Sequence, residues 1–190
     1  MRDEELLDEA DLRHAAALCL YAVYRSTAAE GRADALYGHQ AWKEWGDISL
    51  NALLSVGPEP LPQFDRFLSD WIDKLKAQQN PAWQSMLWEA AVLRDGEDAV
   101  GPLSRQVAAG CPGLSVKWFE LLLKRNAHTQ ICQEAEGAVH LLAANPKARQ
   151  RVAQIAAFAA AQEQRQELRQ AMALECYRAK PDVSNLLRLL

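Results

Sequence analysis

The sequence predicts an all-α protein in which antiparallel helix pairs stack as an α-solenoid behind an N-terminal helical layer. Strong helix formers such as Ala, Leu, Gln, Glu and Arg dominate the 190 residues, whereas Ile, Val and Thr are sparse. Apolar residues recur at helical spacing in nearly every segment. Intervals of 31, 34 and 35 residues, each with two predicted helices, separate four prolines: Pro81, Pro112, Pro146 and Pro181. A period in the low thirties with one helix pair per unit is typical of α-solenoids.

The N-terminal layer is predicted to cover residues 1–57. Its first helix covers about 3–29, because the first turns are acidic, which suits the positive end of a helix dipole. A second helical region covers roughly 33–56 and is expected to break near Gly38 or Gly46. This layer therefore consists of two helical regions before the first prolines of the chain.

A proline-rich segment follows the layer. Pro58, Pro60 and Pro62 alternate in the stretch Gly-Pro-Glu-Pro-Leu-Pro and cannot continue a helix. The stretch is too short to act as a flexible linker. We therefore expect it to turn the layer onto a helical-repeat array over 63–190 within one continuous domain.

The array is predicted to consist of short, regular helices. The clearest is 63–78, whose apolar stripe is Phe64, Phe67, Leu68, Trp71, Ile72 and Leu75. The other predicted helices are 82–94, 97–109, 114–126, 129–144, 147–160, 163–178 and 182–189. Helix starts are indicated by Asn80-Pro81 and Asn145-Pro146, each a capping residue before a first-turn proline, and by Lys180-Pro181-Asp182.

The first helices of the proposed units can be aligned at three core positions. These are Leu87, Trp118 and Val152, then Ala90, Leu121 and Ile155, then Ala91, Leu122 and Ala156. Over about 81–190 the array resembles tetratricopeptide repeats, which form a superhelix. The second helices depart from that family at Leu103, Glu134 and Leu168, where it has a small residue. The first helices depart from it near their ends, at Arg94, Arg125 and Ala159, where it has tyrosine. HEAT-like repeats are the alternative.

The resemblance implies a non-enzymatic protein that binds a protein or peptide partner on a concave surface, as a scaffold, adaptor or regulatory module. Partner-binding candidates come from the residues themselves. Trp42 and Trp45 either cover the core or form an exposed anchor, because tryptophan is favoured at interfaces. Leu186, Leu187 and Leu190 are apolar where a solenoid needs a polar cap, so the C-terminal helix folds back, meets a partner, forms a homo-oligomer or continues into a longer array.

One helix carries a ladder of metal-ligand residue types. His128, Cys132, Glu136 and His140 are each four residues apart, so the ends of the ladder lie roughly 18 Å apart and only a pair could reach one ion. The alternative function is therefore a metal-dependent helical-bundle enzyme or ligand binder. The phosphate-loop, dinucleotide and nucleophile-elbow motifs are missing from the sequence, and we predict no cofactor and no catalytic residue.

Charge is distributed unevenly along the chain. Residues 1–100 hold 9 Lys+Arg and 18 Asp+Glu, whereas residues 101–190 hold 12 and 7. Such a polarised molecule could orient a partner or stack head to tail with itself. The basic set of the second half is Lys147, Arg149, Arg151, Arg165, Arg169, Arg178 and Lys180. It lacks interleaved aromatics, so we predict a solvated face, with a HEAT-like nucleic-acid binder as a further alternative.

The sequence favours a cytoplasmic protein that does not span a membrane. Cys19, Cys111, Cys132 and Cys176 form no C-x-x-C pair, and scattered cysteines of this kind usually act as small buried hydrophobes in a reducing compartment. The run 15–24, which contains no charged or amide side chain, is half the length of about 20 residues that a membrane span needs. The acidic N-terminus also lacks the positive start of a secretory signal.

Overall fold

A computed structural model describes residues 8–39 and 48–187 of the chain. These residues form helices and turns without a β-strand, which confirms the predicted all-α class. The chain divides into two compact units. The N-terminal unit comprises Met1–Gln78 and Ser85–Asp95, and the C-terminal unit comprises Gln79–Gln84 and Gly96–Leu190.

Five helices occur between residues 8 and 95 of the described part of the chain. They are α1 (Glu9–Ser26), α2 (Arg32–Gly38), α3 (Leu50–Val56), α4 (Phe64–Gln78) and α5 (Gln84–Asp95), with 3-10 turns at Ala29–Gly31 and Pro81–Trp83. In the N-terminal unit α1 packs against α2 and α3, and α2 packs against α4. The amphipathic helix α4 therefore packs with the N-terminal helices, whereas the sequence pattern predicted that it belongs to the array over 63–190.

The start of α1 is fixed by a side-chain cap. The carboxylate of Asp8 accepts a hydrogen bond of 2.8 Å from the backbone N–H of Asp11, so α1 begins at Glu9. The predicted start near Asp3 lies outside the described residues. It ends at Ser26, three residues before the predicted end. The predicted second region starts as α2, which ends at Gly38, and resumes as α3; Gly46 lies outside the described residues.

The N-terminus of α3 is capped from a distant part of the chain. The Glu89 carboxylate accepts hydrogen bonds from the backbone N–H groups of Leu50, at 2.7 Å, and Asn51, at 2.9 Å. Ser49 caps the same helix locally through a 3.0 Å bond from the N–H of Ala52. Glu89 lies on α5, so this contact joins residues 85–95 to the N-terminal unit.

The proline-rich segment is held by side chains that donate to its carbonyl groups. Prolines have no N–H, so the backbone of this segment has more acceptors than donors to satisfy. The Tyr24 hydroxyl donates to the carbonyl of Pro62 at 2.8 Å, and the Tyr21 hydroxyl donates to that of Glu59 at 3.1 Å. The segment thus lies against α1 within the N-terminal unit.

Arg32 completes this attachment as a buried cation. The residue is only 8% exposed, and its Nη1 donates to the Pro62 carbonyl at 2.7 Å. Its Nε donates to the carbonyls of Tyr24 and Thr27, each at 3.1 Å, and its Cζ lies 4.4 Å from the centre of the Tyr24 ring. Carbonyl dipoles and an aromatic face therefore solvate the guanidinium.

In the C-terminal unit, six helices lie among the described residues. They are α6 (Val100–Val107), which follows a 3-10 turn at Glu97–Ala99, then α7 (Pro112–Lys124), α8 (His128–Leu141), α9 (Pro146–Gln162), α10 (Gln166–Ala179) and α11 (Val183–Leu187). Each helix packs against the next, and α7 also packs against α9 and α8 against α10. The central helix, α9, contacts α7, α8 and α10.

The predicted helix starts are confirmed by their caps. The side chain of Asn145 accepts from the N–H of Ala148 at 3.1 Å, and Pro146 opens α9. Asn80 caps the 3-10 turn at Pro81–Trp83 in the same way, and Asp182 accepts from the N–H of Asn185 at 2.8 Å at the start of α11.

Two helix ends of the C-terminal unit share one geometry. Asn126 after α7 and Gln164 after α9 both have φ of 55°, in the left-handed region. The following N–H groups, of Ala127 and Arg165, donate back five residues to helix carbonyls at 2.9 and 2.8 Å. This is the Schellman arrangement, made here without glycine, and it turns the chain tightly between consecutive helices.

We predict that Tyr24→Phe destabilises the protein by about 1 kcal/mol, because the Phe ring keeps the contact with Arg32 but leaves the Pro62 carbonyl without the hydroxyl donor. Tyr21→Phe is the matched control: its hydrogen bond is exposed, and water can replace it. Urea denaturation measures both variants. Equal losses of unfolding free energy would show that the buried bond has no special weight.

Candidate functional site

A groove lies between α6, α7 and α8 in the C-terminal unit. We call it the Trp118 groove; its volume is about 410 Å³, and its lining includes Ser104, Ser115, Trp118, Glu134, Gly137 and Leu141. Trp118 forms part of the base of the groove and is only 3% exposed, whereas Leu141 at the edge of the groove is 44% exposed. An enclosed apolar base with an exposed apolar edge is typical of a ligand-binding groove.

A carboxylate holds the base of the Trp118 groove in place. Glu134 Oε2 accepts hydrogen bonds from the Trp118 indole Nε1 at 2.9 Å and from Arg105 at 3.0 Å, while Gln130 donates to Glu134 Oε1 at 2.9 Å. The repeat comparison identified Glu134 only as a departure from the small residue of tetratricopeptide repeats. The structure gives the reason, because this position orients Trp118 and joins α6, α7 and α8.

Two helical glycines beside this groove have opposite surroundings. A Cβ added to Gly101 would lie 2.7 Å from Trp118 Cζ2, so glycine is needed there for the close approach of α6 to the indole. A Cβ added to Gly137 would meet no atom within 4 Å. Glycine in a helix interior costs about 1 kcal/mol relative to alanine. Packing therefore explains Gly101 but not Gly137, which opens onto the groove.

A second concavity lies between α9 and α10. We call it the Phe158 groove; its volume is about 550 Å³, and its lining includes Arg151, Gln154, Phe158, Arg169 and Cys176. Phe158 is 51% exposed, and its ring meets the His128 ring nearly edge-on, with the ring centres 6.0 Å apart. A large aromatic side chain therefore stands half in solvent beside two arginines.

The structure separates the residues of the predicted metal ladder. His128 packs against Phe158, His140 is exposed, and Cys132 and Glu136 line an open cleft between α8 and α10. The other polar side chains of this cleft are exposed. Among residues 8–39 and 48–187, no group of three or more His, Cys, Asp and Glu side chains is placed to hold a metal ion.

Most of the predicted partner-binding residues lie at the limits of the described structure. Trp42, Trp45 and Leu190 are outside the described residues, and Leu187 is the last residue of α11. Leu186 is 46% exposed. The neighbouring Asn185 is buried and donates to the Lys180 carbonyl at 2.9 Å, which holds α11 to the end of α10.

Ion pairs neutralise much of the predicted basic face. Arg149 and Arg178 both pair with Glu175, Arg151 pairs with Glu120, and Lys180 pairs with Asp182. Within the described part of the chain, the members without an acidic partner are Lys147, Arg165 and Arg169. The face therefore offers separate cationic side chains rather than the concentrated patch that phosphate backbones attract.

Three of the four cysteines are buried, as predicted. Cys111, Cys132 and Cys176 are buried, whereas Cys19 is exposed, and all four are free thiols. Burial raises the pKa of the Cys111 thiol, which keeps it protonated and unreactive. Of the helices that the structure describes, none has the length and apolar character needed to cross a membrane.

The pKa of Glu175 is lowered. Burial acts to raise it, but the hydrogen bonds and positive charges of Arg149 and Arg178 outweigh burial. A lowered folded-state pKa adds stability that is fully present above the unfolded value, about 4.3, and is lost as the pH falls through the folded value.

We predict that Glu175→Gln lowers the unfolding free energy at pH 7 by about 1–3 kcal/mol, because two charge-assisted bonds are weakened. The difference from the wild-type chain shrinks as the pH falls below about 4. Urea denaturation across this pH range tests the prediction, with the exposed Glu167→Gln on the same helix as control. A pH-independent difference would contradict it.

We predict opposite effects for two Gly→Ala substitutions. Gly101→Ala destabilises by about 1–3 kcal/mol, because the methyl group collides with Trp118. Gly137→Ala stabilises by about 1 kcal/mol, because it gains helix propensity in open space. Thermal denaturation of the two variants gives both signs; destabilisation by Gly137→Ala would show that this glycine serves the fold.

No protein-family model, curated protein or solved structure matches this chain. Of the three concavities described in the C-terminal unit, the cleft of Cys132 and Glu136 is open and lined mainly by exposed polar side chains. The Trp118 groove has an apolar base, and the Phe158 groove carries the unpaired positive charge of Arg169.

Proposed function

We propose that this chain is a non-enzymatic helical-repeat protein that binds a peptide or protein partner in the Trp118 groove and acts in the cytoplasm as a scaffold, adaptor or regulatory module. The observation that carries the proposal is Gly137, a helix-interior glycine that opens onto the groove and that neither backbone conformation nor packing requires. A partner that approaches the backbone of α8 closely would explain a glycine there.

Contacts between helices two positions apart support a stack of antiparallel, tetratricopeptide-like helix pairs in the C-terminal unit. Arg105 on α6 pairs with Glu134 on α8, 29 residues away, and Glu120 on α7 pairs with Arg151 on α9, 31 residues away. These separations are close to the proline period of the sequence. The shared Schellman ends of α7 and α9 are also expected if the two helices are equivalent members of successive units.

The chemistry of the groove indicates what the partner contributes. Trp118 and Phe119 provide an apolar base, Leu141 an apolar edge, and the charges of Arg105 and Glu134 neutralise each other. An apolar side chain that lies over Gly137 would fit this surface. Full burial of one such side chain contributes about 1.5–3 kcal/mol, so further contacts along the groove are needed for a stable complex.

The metal-dependent and nucleic-acid-binding functions have less support in the described geometry. His128 packs against Phe158, whereas Cys132 and Glu136 line the cleft between α8 and α10. The basic face is largely occupied by ion pairs with Glu120 and Glu175. A peptide-binding groove requires neither a metal nor a concentrated positive patch.

We predict that Gly137→Leu weakens peptide binding without destabilising the chain, because the new side chain occupies the groove and improves helix propensity. A phage-displayed random peptide library is selected on the wild-type chain, and synthetic versions of the enriched peptides are titrated by calorimetry. We expect at least about a tenfold loss of affinity in Gly137→Leu, which corresponds to about 1.4 kcal/mol.

Thr129→Leu is the matched control, since it adds the same side chain at an exposed position of α8 outside the groove. It is expected to keep the affinity. The proposal is overturned if no peptide is enriched on the wild-type chain, or if the two leucine variants bind the enriched peptides equally well.

A further inference from the structure

The Phe158 groove combines an exposed aromatic side chain with unbalanced positive charge. Its lining includes Arg151 and Arg169 and contains neither Asp nor Glu. Arg151 is held by Glu120, but Arg169 is exposed and has no acidic partner among residues 8–39 and 48–187. The groove therefore selects for an occupant that carries negative charge.

The remaining lining of the groove selects for apolar groups. Ala157, Ala161 and Ala173 add small apolar side chains to the lining, and half of Phe158 is open to solvent. The occupant that fits this surface carries carboxylates beside one or two aliphatic side chains.

The chain contains such a segment near its N-terminus. Residues 3–7 read Asp-Glu-Glu-Leu-Leu, which places three carboxylates directly before two leucines. The segment lies in the acidic half of the sequence, and the groove lies in the basic half. The sequence of this segment and the lining of the groove are therefore complementary in charge and in apolar content.

We propose that residues 3–7 of one copy of this chain bind the Phe158 groove of a second copy, with carboxylates on Arg169 and Arg151 and leucines on Phe158. The contact is separate from the Trp118 groove and does not depend on the peptide-binding function proposed for that groove. Exposed ion pairs contribute only about 0.2–1 kcal/mol each, so the association is weak and sensitive to salt.

Sedimentation velocity of the full chain over a range of concentrations tests the proposal. We expect self-association that increases with concentration and that is stronger in about 0.1 M than in about 1 M salt, where the screening length falls from about 10 Å to about 3 Å. Arg169→Glu is expected to weaken the association by about tenfold, because attraction becomes repulsion. Phe158→Ala is expected to weaken it as well.

Arg165→Glu provides the matched control. It makes the same change of charge four residues, or about one helical turn, before Arg169. Arg165, however, lines the cleft of Cys132 and not the Phe158 groove. It is expected to leave the association within about twofold of the wild-type value. Circular dichroism melting of each variant shows that the fold is retained.

A charge exchange identifies the segment. Glu5→Arg alone is expected to weaken the association, and Glu5→Arg combined with Arg169→Glu is expected to restore most of it. The proposal is overturned if the chain is monomeric at every concentration, if Arg165→Glu and Arg169→Glu have equal effects, or if the exchange restores nothing. Association that persists in Arg169→Glu and Phe158→Ala also overturns it and points to another surface of the second copy, such as the exposed Leu186.

Discussion

The close approach of helices at the alanine-rich face of α9 is the interaction on which the C-terminal unit depends. Ala153, Ala156 and Ala160 are fully buried there, and α7, α8 and α10 all pack against this helix. Since alanine extends only a methyl group, three neighbours can lie close to one helix, and a larger side chain would force them apart. The same packing brings the His128 ring to Phe158, so the Phe158 groove is a consequence of how closely the helices approach.

Charged side chains in this unit mainly join helices to one another. Glu134 connects three helices through Trp118 and Arg105, and Glu175 is shared by two arginines. Side chains paired in this way do not attract a charged partner, because their charge is already balanced. The surfaces left for recognition are therefore the apolar base of the Trp118 groove and the few cations without partners, among which Arg169 lines the Phe158 groove and Arg165 lines the cleft of Cys132.

The sequence predicts where the helices of this protein begin better than it predicts the turns and contacts between them. Starts at Asn145 and Asp182 are predictable because capping depends on neighbouring residues alone. The turns at Asn126 and Gln164 are not, since residues other than glycine adopt the left-handed conformation there. The sequence marks Glu134 only as a departure from the repeat pattern that the chain resembles, and it gives no reason to single out Gly137. Only their surroundings distinguish a side chain that orients Trp118 from a glycine that faces open space.

The distant cap on α3 has a consequence for the order in which the chain matures on the ribosome. Leu50 is synthesised 39 residues before Glu89, whose carboxylate caps it, whereas the side-chain ion pairs of the C-terminal unit that join α6 to α8 and α7 to α9 span 29 and 31 residues. A nascent chain that has not yet released residue 89 from the exit tunnel carries α3 without this cap, and the N-terminal unit cannot complete its hydrogen bonds. During this interval of translation the first turn of α3 has only its local cap, the bond from the N–H of Ala52 to the Ser49 hydroxyl.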